Sequence, residues 1–292
     1  MTERRDADVP ASAEPLADAS ARRGAARRRA HRPPPPPVFQ MANALLGVAL
    51  RVARVRLVVD GAERLPDQAG VIIASNHLSI TDPPLICLAV DRASGRRVRY
   101  MAKAEAMAMP LLGPILHAYG GFAVRRGRPD REAYRMARQV LEAGDWLGLA
   151  PEGTRSRTGV LGEPKPGVAL LAMRSGATIV PTAIWGSERL WPVGAHVPRL
   201  FTTVTIRFGE AYRPEPVEPT ALASATGISS AGEREGGSPP AEGAVERASP
   251  TPDGGGRSNG QRRQRDALDA TSEDLMNRIA RLLPPEYRGR FG

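Results

Sequence analysis

The chain has 292 residues, enough for one large domain or two small ones, and its 41% apolar content fits a globular protein with a sizeable core. Its 41 basic residues against 31 acidic ones give a net charge of +10, which favours an anionic partner: nucleic acid, an anionic membrane or a phosphate-bearing substrate. Aromatic residues make up only 4%, too sparse for the stacking platforms of single-strand nucleic-acid binders, so nucleic acid is set aside in favour of lipid or phosphate.

Residues 1–37 read as a disordered basic, proline-rich tail. Between Ala19 and Pro37 lie Arg22, Arg23, Arg27, Arg28, Arg29 and Arg32, no acidic residue, and a closing run of five prolines. This composition suits a solvated tail, or a polybasic tether in which each arginine near an anionic leaflet contributes about 1 kcal/mol. Residues 38–54 follow with Phe39, Met41, Leu45, Leu46, Val48 and Leu50, and then Arg51, Arg54 and Arg56. Two readings stand for this segment: a helix lying in a membrane interface, or a first helix packed on the domain. No stretch reaches the roughly 18 uninterrupted apolar residues of a spanning helix. No secretory signal is evident, so the expected location is the cytoplasmic face of a membrane, with the protein peripheral or monotopic.

From 55 to 212 strand-like and helix-like runs alternate. Strands are expected at Val55–Val59, Val71–Ala74, Val98–Met101, Phe122–Val124, Trp146–Ala150, Thr178–Trp185 and Thr202–Phe208, with helices near 84–91, 104–117, 130–143 and 166–175. Gly144 and Gly176 stand where helices should end. The pattern specifies an α/β fold, a mixed and mostly parallel sheet flanked by helices, over residues 38–212. Pro181 inside a strand implies an edge or a bulge. The single cysteine, Cys87, lies in the apolar run Pro84-Leu85-Ile86-Cys87-Leu88 and reads as a core residue rather than a nucleophile. Residues 213–265 collapse to Pro, Gly, Ser, Ala, Glu and Arg and read as a disordered insertion. Over 266–292, Leu268, Leu275, Ile279, Leu282 and Leu283 predict a terminal amphipathic helix that docks back on the domain.

Three segments carry chemistry. Ser75-Asn76-His77-Leu78-Ser79-Ile80-Thr81-Asp82-Pro83 follows a strand and precedes a helix, and open α/β sheets bind ligands beyond the carboxyl ends of their strands. An imidazole titrates near neutrality and can take a proton from a hydroxyl, while a carboxylate on its other nitrogen fixes the tautomer. Five residues apart across a tight turn, His77 and Asp82 can meet in that way, although the spacing alone is a weak motif and Asp82 before two prolines also fits a helix N-cap. Gly120-Gly121-Phe122-Ala123-Val124-Arg125-Arg126-Gly127 and Ala150-Pro151-Glu152-Gly153-Thr154-Arg155-Ser156 each put a guanidinium just past a strand, suited to a phosphomonoester. No G-x-S-x-G elbow, Walker A loop or G-x-G-x-x-G turn is present. His31, His117 and His196 have no nearby ligand partners at metal spacing, so no metal site is expected.

Taken in order, NHLSITD, GGFAVRR, APEGTRS and VPTAI resemble the four motifs of the 1-acylglycerol-3-phosphate acyltransferase family, within the glycerolipid acyltransferases. The resemblance covers residues 55–212 and the terminal helix. It implies that His77 is a general base partnered by Asp82. It further implies that Arg126 contacts the substrate phosphate, and that Glu152, Gly153, Arg155 and Lys103 belong to the glycerophosphate site. The implied reaction moves an acyl group from acyl-CoA or acyl-ACP, as co-substrate and without a cofactor, to the free hydroxyl of 1-acylglycerol-3-phosphate, making phosphatidic acid for phospholipid biosynthesis. Ala150 replaces the family's usual Phe, and the family's amino-terminal two-helix motif is not evident. Two other readings stay open: an acyltransferase for a different lysophospholipid or glycerolipid acceptor, and a non-catalytic protein that binds anionic lipid.

Overall fold

The computed structural model describes residues 35–110, 112–124, 131–195, 197–216 and 255–292. The tail over 1–34, most of the stretch expected as an insertion, Arg126 and His196 lie outside the described residues. Seven strands form one sheet: β1 (Arg56–Asp60), β2 (Val71–Ser75), β3 (Val98–Lys103), β4 (Phe122–Val124), β5 (Trp146–Leu149), β6 (Thr178–Trp185) and β7 (Thr203–Phe208). Among the described residues eight α-helices accompany them: α1 (Pro37–Val52), α2 (Asp82–Ser94), α3 (Ala104–Met107), α4 (Leu112–Ala118), α5 (Arg131–Glu142), α6 (Gly167–Ser175), α7 (Ser187–Leu190) and α8 (Gly255–Leu282). The expected helix over 104–117 is thus two short ones, and α8 begins before the boundary drawn at 266.

The sheet order is β1-β7-β6-β2-β5-β3-β4. Every neighbouring pair is parallel except β6 with β7, so the sheet is mixed and mostly parallel. Alternation along the central strands separates two cores. Ile72 and Ala74 of β2 face one side with Leu147, Ile179 and Ala183, under α5, α6 and α8. Val71 and Ile73 face the other with Val180, Ile184, Val204 and Phe208, under α1 and α2. Burial on both faces explains why β2 reads as an unbroken apolar run, and each fully buried isoleucine there contributes about 1.5–3 kcal/mol.

Pro181 is not on an edge, because β6 has β2 on one side and β7 on the other. It stands at a bulge. Thr182 pairs with Phe208, whereas Ile179 pairs with Tyr212, so the stretch after β7 carries one extra residue across this span. The Pro181 carbonyl accepts the Gly209 N–H at 2.8 Å, and its missing donor faces the irregular stretch, where no ladder bond is lost.

α1 packs one face on the domain and leaves the other exposed. Phe39, Asn43, Gly47 and Leu50 are buried against the domain. Phe39 meets Tyr119 edge-on at 5.6 Å, and the Asn43 amide donates to Asp91 at 2.8 Å. Val38, Met41, Leu45, Val48 and Val52 remain exposed on the other side. Cys87 is buried and gives its thiol to the Val98 carbonyl, and burial pushes that thiol up, away from nucleophilic use.

One close approach ties β5 to β3. Tyr100 is in register with Gly148, and its ring lies where a side chain at 148 would be: an ideal Cβ would come within 2.1 Å of it. Gly148→Val is therefore expected to lower the unfolding free energy by about 1–3 kcal/mol in urea denaturation, and an unshifted midpoint would refute this packing.

Candidate active site

The carboxyl ends of β2, β5, β3, β4 and β6 share one edge of the sheet, since these strands run parallel. Beyond β2 the chain does not enter α2 directly. Asn76 first extends the ladder with its side chain: its Nδ2 donates to the Ile184 carbonyl and its Oδ1 accepts the Ile184 N–H, both at 2.8 Å. This carboxamide acts as one more residue of strand pairing and sets where the following turn begins.

His77 comes next. Its Nδ1 lies 2.8 Å from Asp82 Oδ2. That oxygen also accepts the backbone N–H groups of Leu78 at 2.7 Å and Ser79 at 2.8 Å. An oxygen that receives two amide donors is an acceptor, so His77 Nδ1 carries a proton and donates it, leaving Nε2 as the basic nitrogen. Asp82 is buried, whereas the His77 side chain is 21% exposed, so the dyad is anchored on its carboxylate side and accessible on its imidazole side.

The N-cap reading of Asp82 is corrected by the structure. Thr81 occupies that position, and Asp82 is the first helical residue. Pro83 and Pro84 come next and offer no N–H, so the carboxylate is free to turn back onto the preceding loop.

The segment after β5 holds the same histidine from behind. Glu152 Oε1 accepts the His77 N–H at 3.1 Å, and Oε2 accepts the Gly162 N–H at 3.0 Å. The Ser156 N–H donates to the His77 carbonyl at 2.8 Å. Both backbone groups of His77 are thereby occupied by the PEGTRS segment. Burial pushes the Glu152 carboxyl above its ordinary value, and the amide donors of His77 and Gly162 pull it partly back. With each oxygen accepting a backbone donor, Glu152 ties the segment after β5 to the turn that carries His77. Gly153 supplies a left-handed residue (φ 68°) after the turn Ala150–Gly153.

The other sequence-derived residues take less uniform places. Arg155 lies between the two residues that grip His77, is partly exposed, and has no acidic partner among the described residues. Lys103 ends β3 on the same sheet edge, with β5 between its strand and β2. Arg126 lies outside the described residues. Asn76, Gly162 and the Ser156 amide are additions that the sequence reading did not assign; the Asn immediately before His77 was the only visible signal among them.

The loop after PEGTRS is tied to the end of the chain. The Leu161 N–H donates to the Tyr287 carbonyl at 2.8 Å, and Arg290 pairs with Glu163 at 2.9 Å. The Tyr287 hydroxyl donates to Glu188 and accepts from Arg189, both at 2.9 Å.

This candidate site, a histidine with a buried carboxylate at a strand end beside a guanidinium that has no acidic partner among the described residues, lies within residues 56–185, which match the family model described as Acyltransferase. The chain is 28% identical over 155 residues to the 1-acyl-sn-glycerol-3-phosphate acyltransferase of Borreliella burgdorferi, covering 52% of this chain and 60% of that protein. It is 31% identical over 124 residues to the Bacillus subtilis protein of the same name, covering 42% of this chain and 60% of that one. The crystal structure of the 1-acyl-sn-glycerophosphate (LPA) acyltransferase PlsC from Thermotoga maritima superposes with a TM-score of 0.50 at 27% identity, over 60% of this chain and 69% of that one. Over these residues the chain is similar to the 1-acylglycerol-3-phosphate acyltransferases, and it spans less than two thirds of the length of the curated relatives named here.

The raised Glu152 carboxyl has a pH signature. A carboxyl whose native value exceeds its unfolded value contributes most to stability below the ordinary value of 4.5, and that contribution is lost as pH rises through the raised native value. Glu152→Gln removes the titration while leaving other groups in place. The unfolding free energy of the wild type minus that of the variant is expected to fall as pH increases across this window. A flat difference in denaturation series at several pH values would contradict the burial assigned to Glu152.

Proposed function

We propose that the chain is a 1-acylglycerol-3-phosphate O-acyltransferase that makes phosphatidic acid for phospholipid synthesis. The observation that carries this reading is the 2.8 Å contact of His77 Nδ1 with Asp82, which leaves Nε2 facing the accessible side as a base. Nε2 takes the proton of the free glycerol hydroxyl, and the alkoxide oxygen attacks the carbonyl carbon of acyl-CoA or acyl-ACP. A C–O bond forms, the C–S bond breaks, and the imidazolium returns its proton to the departing thiolate. Asp82 stabilises that imidazolium. General-base assistance accounts for about 10²–10⁴-fold, and the remainder comes from holding the two substrates in line. The reaction uses no cofactor beyond its thioester co-substrate.

The acceptor's phosphate is assigned to Arg155, with Arg126 and Lys103 completing the basic set. The net charge of +10 favours the same anionic acceptor. Among the described residues no helix is long and apolar enough to cross a membrane. The exposed apolar face of α1 supports peripheral attachment to an anionic membrane on its cytoplasmic side, where the lipid acceptor resides.

Three variants test the assignment with labelled acyl-CoA and a panel of lysophospholipid acceptors. His77→Ala is expected to abolish transfer, and near wild-type turnover there would overturn the mechanism. Asp82→Asn keeps an oxygen for the Leu78 and Ser79 donors but removes the charge behind the imidazolium, so kcat should fall by about 10²–10⁴-fold. Arg155→Ala should raise KM about tenfold or more for phosphate-bearing acceptors, the worth of a charge-assisted bond. An unchanged KM for phosphate-bearing acceptors, or the same rise for uncharged ones, would remove Arg155 from the phosphate site.

A further inference from the structure

The exposed face of α1 is not the only apolar surface at this end of the molecule. Val38, Met41, Leu45, Val48 and Val52 form one stripe along the helix. Beside its carboxyl end, in the loop between α7 and β7, Val193, Val197, Leu200 and Phe201 are 56% to 72% exposed. The two are joined directly. The Phe201 N–H donates to the Ala53 carbonyl at 3.0 Å, the Arg56 N–H donates to the Thr202 carbonyl at 2.9 Å, and the Arg54 guanidinium lies 5.6 Å over the Phe201 ring.

The junction is strained. Arg54 (φ 52°) and Phe201 (φ 56°) are the only non-glycine residues with positive φ among the described residues, and they stack on one another. Bulky side chains adopt this conformation only where surrounding bonds impose it, and such strain collects at binding surfaces. Those bonds are present. The Arg199 N–H donates to the Leu190 carbonyl at 2.8 Å, the Trp191 indole N–H to the Ala195 carbonyl at 2.9 Å, and the Ala195 N–H to the Pro192 carbonyl at 3.1 Å. The loop is held with its apolar side chains outward.

Its other end reaches the catalytic turn. The Ser79 hydroxyl donates to the Trp191 carbonyl at 3.2 Å, and Ile80 on the same turn is exposed. Arg51, Arg54, Arg56 and Arg199 are exposed along this surface, while neither Pro37–Arg56 nor Trp191–Thr202 contains an acidic residue. An apolar rim fringed only by cations complements an anionic bilayer better than it complements water or a protein of mixed charge.

We infer that the loop between α7 and β7 is a second bilayer-contacting element, which enters an anionic lipid surface together with the exposed face of α1 and lines the approach of acceptor lipid to His77. The inference rests on the lipid-acceptor reading above. Its test does not use acyl transfer, so the two can fail separately.

Val197→Cys in the full chain gives a single labelling site in the native protein, because Cys87 is buried. Labelled there with an environment-sensitive fluorophore and mixed with equimolar phosphatidylcholine–phosphatidylglycerol vesicles, the emission should shift to the blue and be quenched by lipids brominated in the acyl chain. The combined variant V193S/V197S/L200S/F201S should partition onto the same vesicles about tenfold or more weakly in co-sedimentation, with an unchanged or higher unfolding midpoint. Unshifted emission on vesicle-bound protein, or equal partitioning of the variant, would overturn the proposal. So would a lipid-free dimer that the combined variant abolishes, since the loop would then belong to a second copy. A wild type that binds no vesicle would overturn it as well, and acyl transfer to a detergent-dispersed acceptor would still report on the enzymatic reading.

Discussion

The active-site geometry depends on the backbone of a single residue. His77 gives its N–H to Glu152 and receives the Ser156 N–H on its carbonyl, so two segments 75 residues apart in the chain become one rigid unit. Imidazole orientation follows from this, because the contact with Asp82 requires the loop between them to be held in one shape. The arrangement also explains a buried carboxylate. A Glu152 carboxyl inside the fold is tolerated because each of its oxygens meets a backbone donor. Removing either donor would leave a buried oxygen without a partner.

The sheet makes this clamp possible by placing β2 at its centre, with β6 on one side and β5 on the other. Asn76 reads β6 through the backbone of Ile184, and the PEGTRS segment arrives from β5. The dyad is thus referenced to both neighbours of its own strand. Pro83 and Pro84 complete the design from the helix side, since a helix start without those donors lets Asp82 serve the loop instead.

The strands were legible to within a residue or two; burial on both faces writes β2 and β6 as short, mostly apolar runs between turn residues, while β7 shows as an alternation. The nearness of His77 and Asp82 was legible as a spacing. The clamp around His77 was not, because apart from the Glu152 side chain it is built of main-chain groups, the N–H and carbonyl of His77 and the N–H groups of Ser156 and Gly162, which any residue but proline would supply. α1 shows a different limit. Its buried and exposed faces are both apolar, so periodicity revealed a helix without telling which face the domain uses. Pro181 was legible as an irregularity, but whether at an edge or a bulge depended on β7, a strand from a later part of the chain.

The tie between Leu161 and Tyr287 sets an order in time. The loop that supplies the Gly162 donor to Glu152 is closed by Tyr287, a residue synthesised well after that loop. A ribosome adding about 5–20 residues per second needs on the order of ten seconds to travel from one to the other. Throughout that interval the nascent chain already carries the histidine, the aspartate and the arginine, but not this restraint on the loop beside them. Closure of the loop therefore waits for the synthesis of the segment that follows α8.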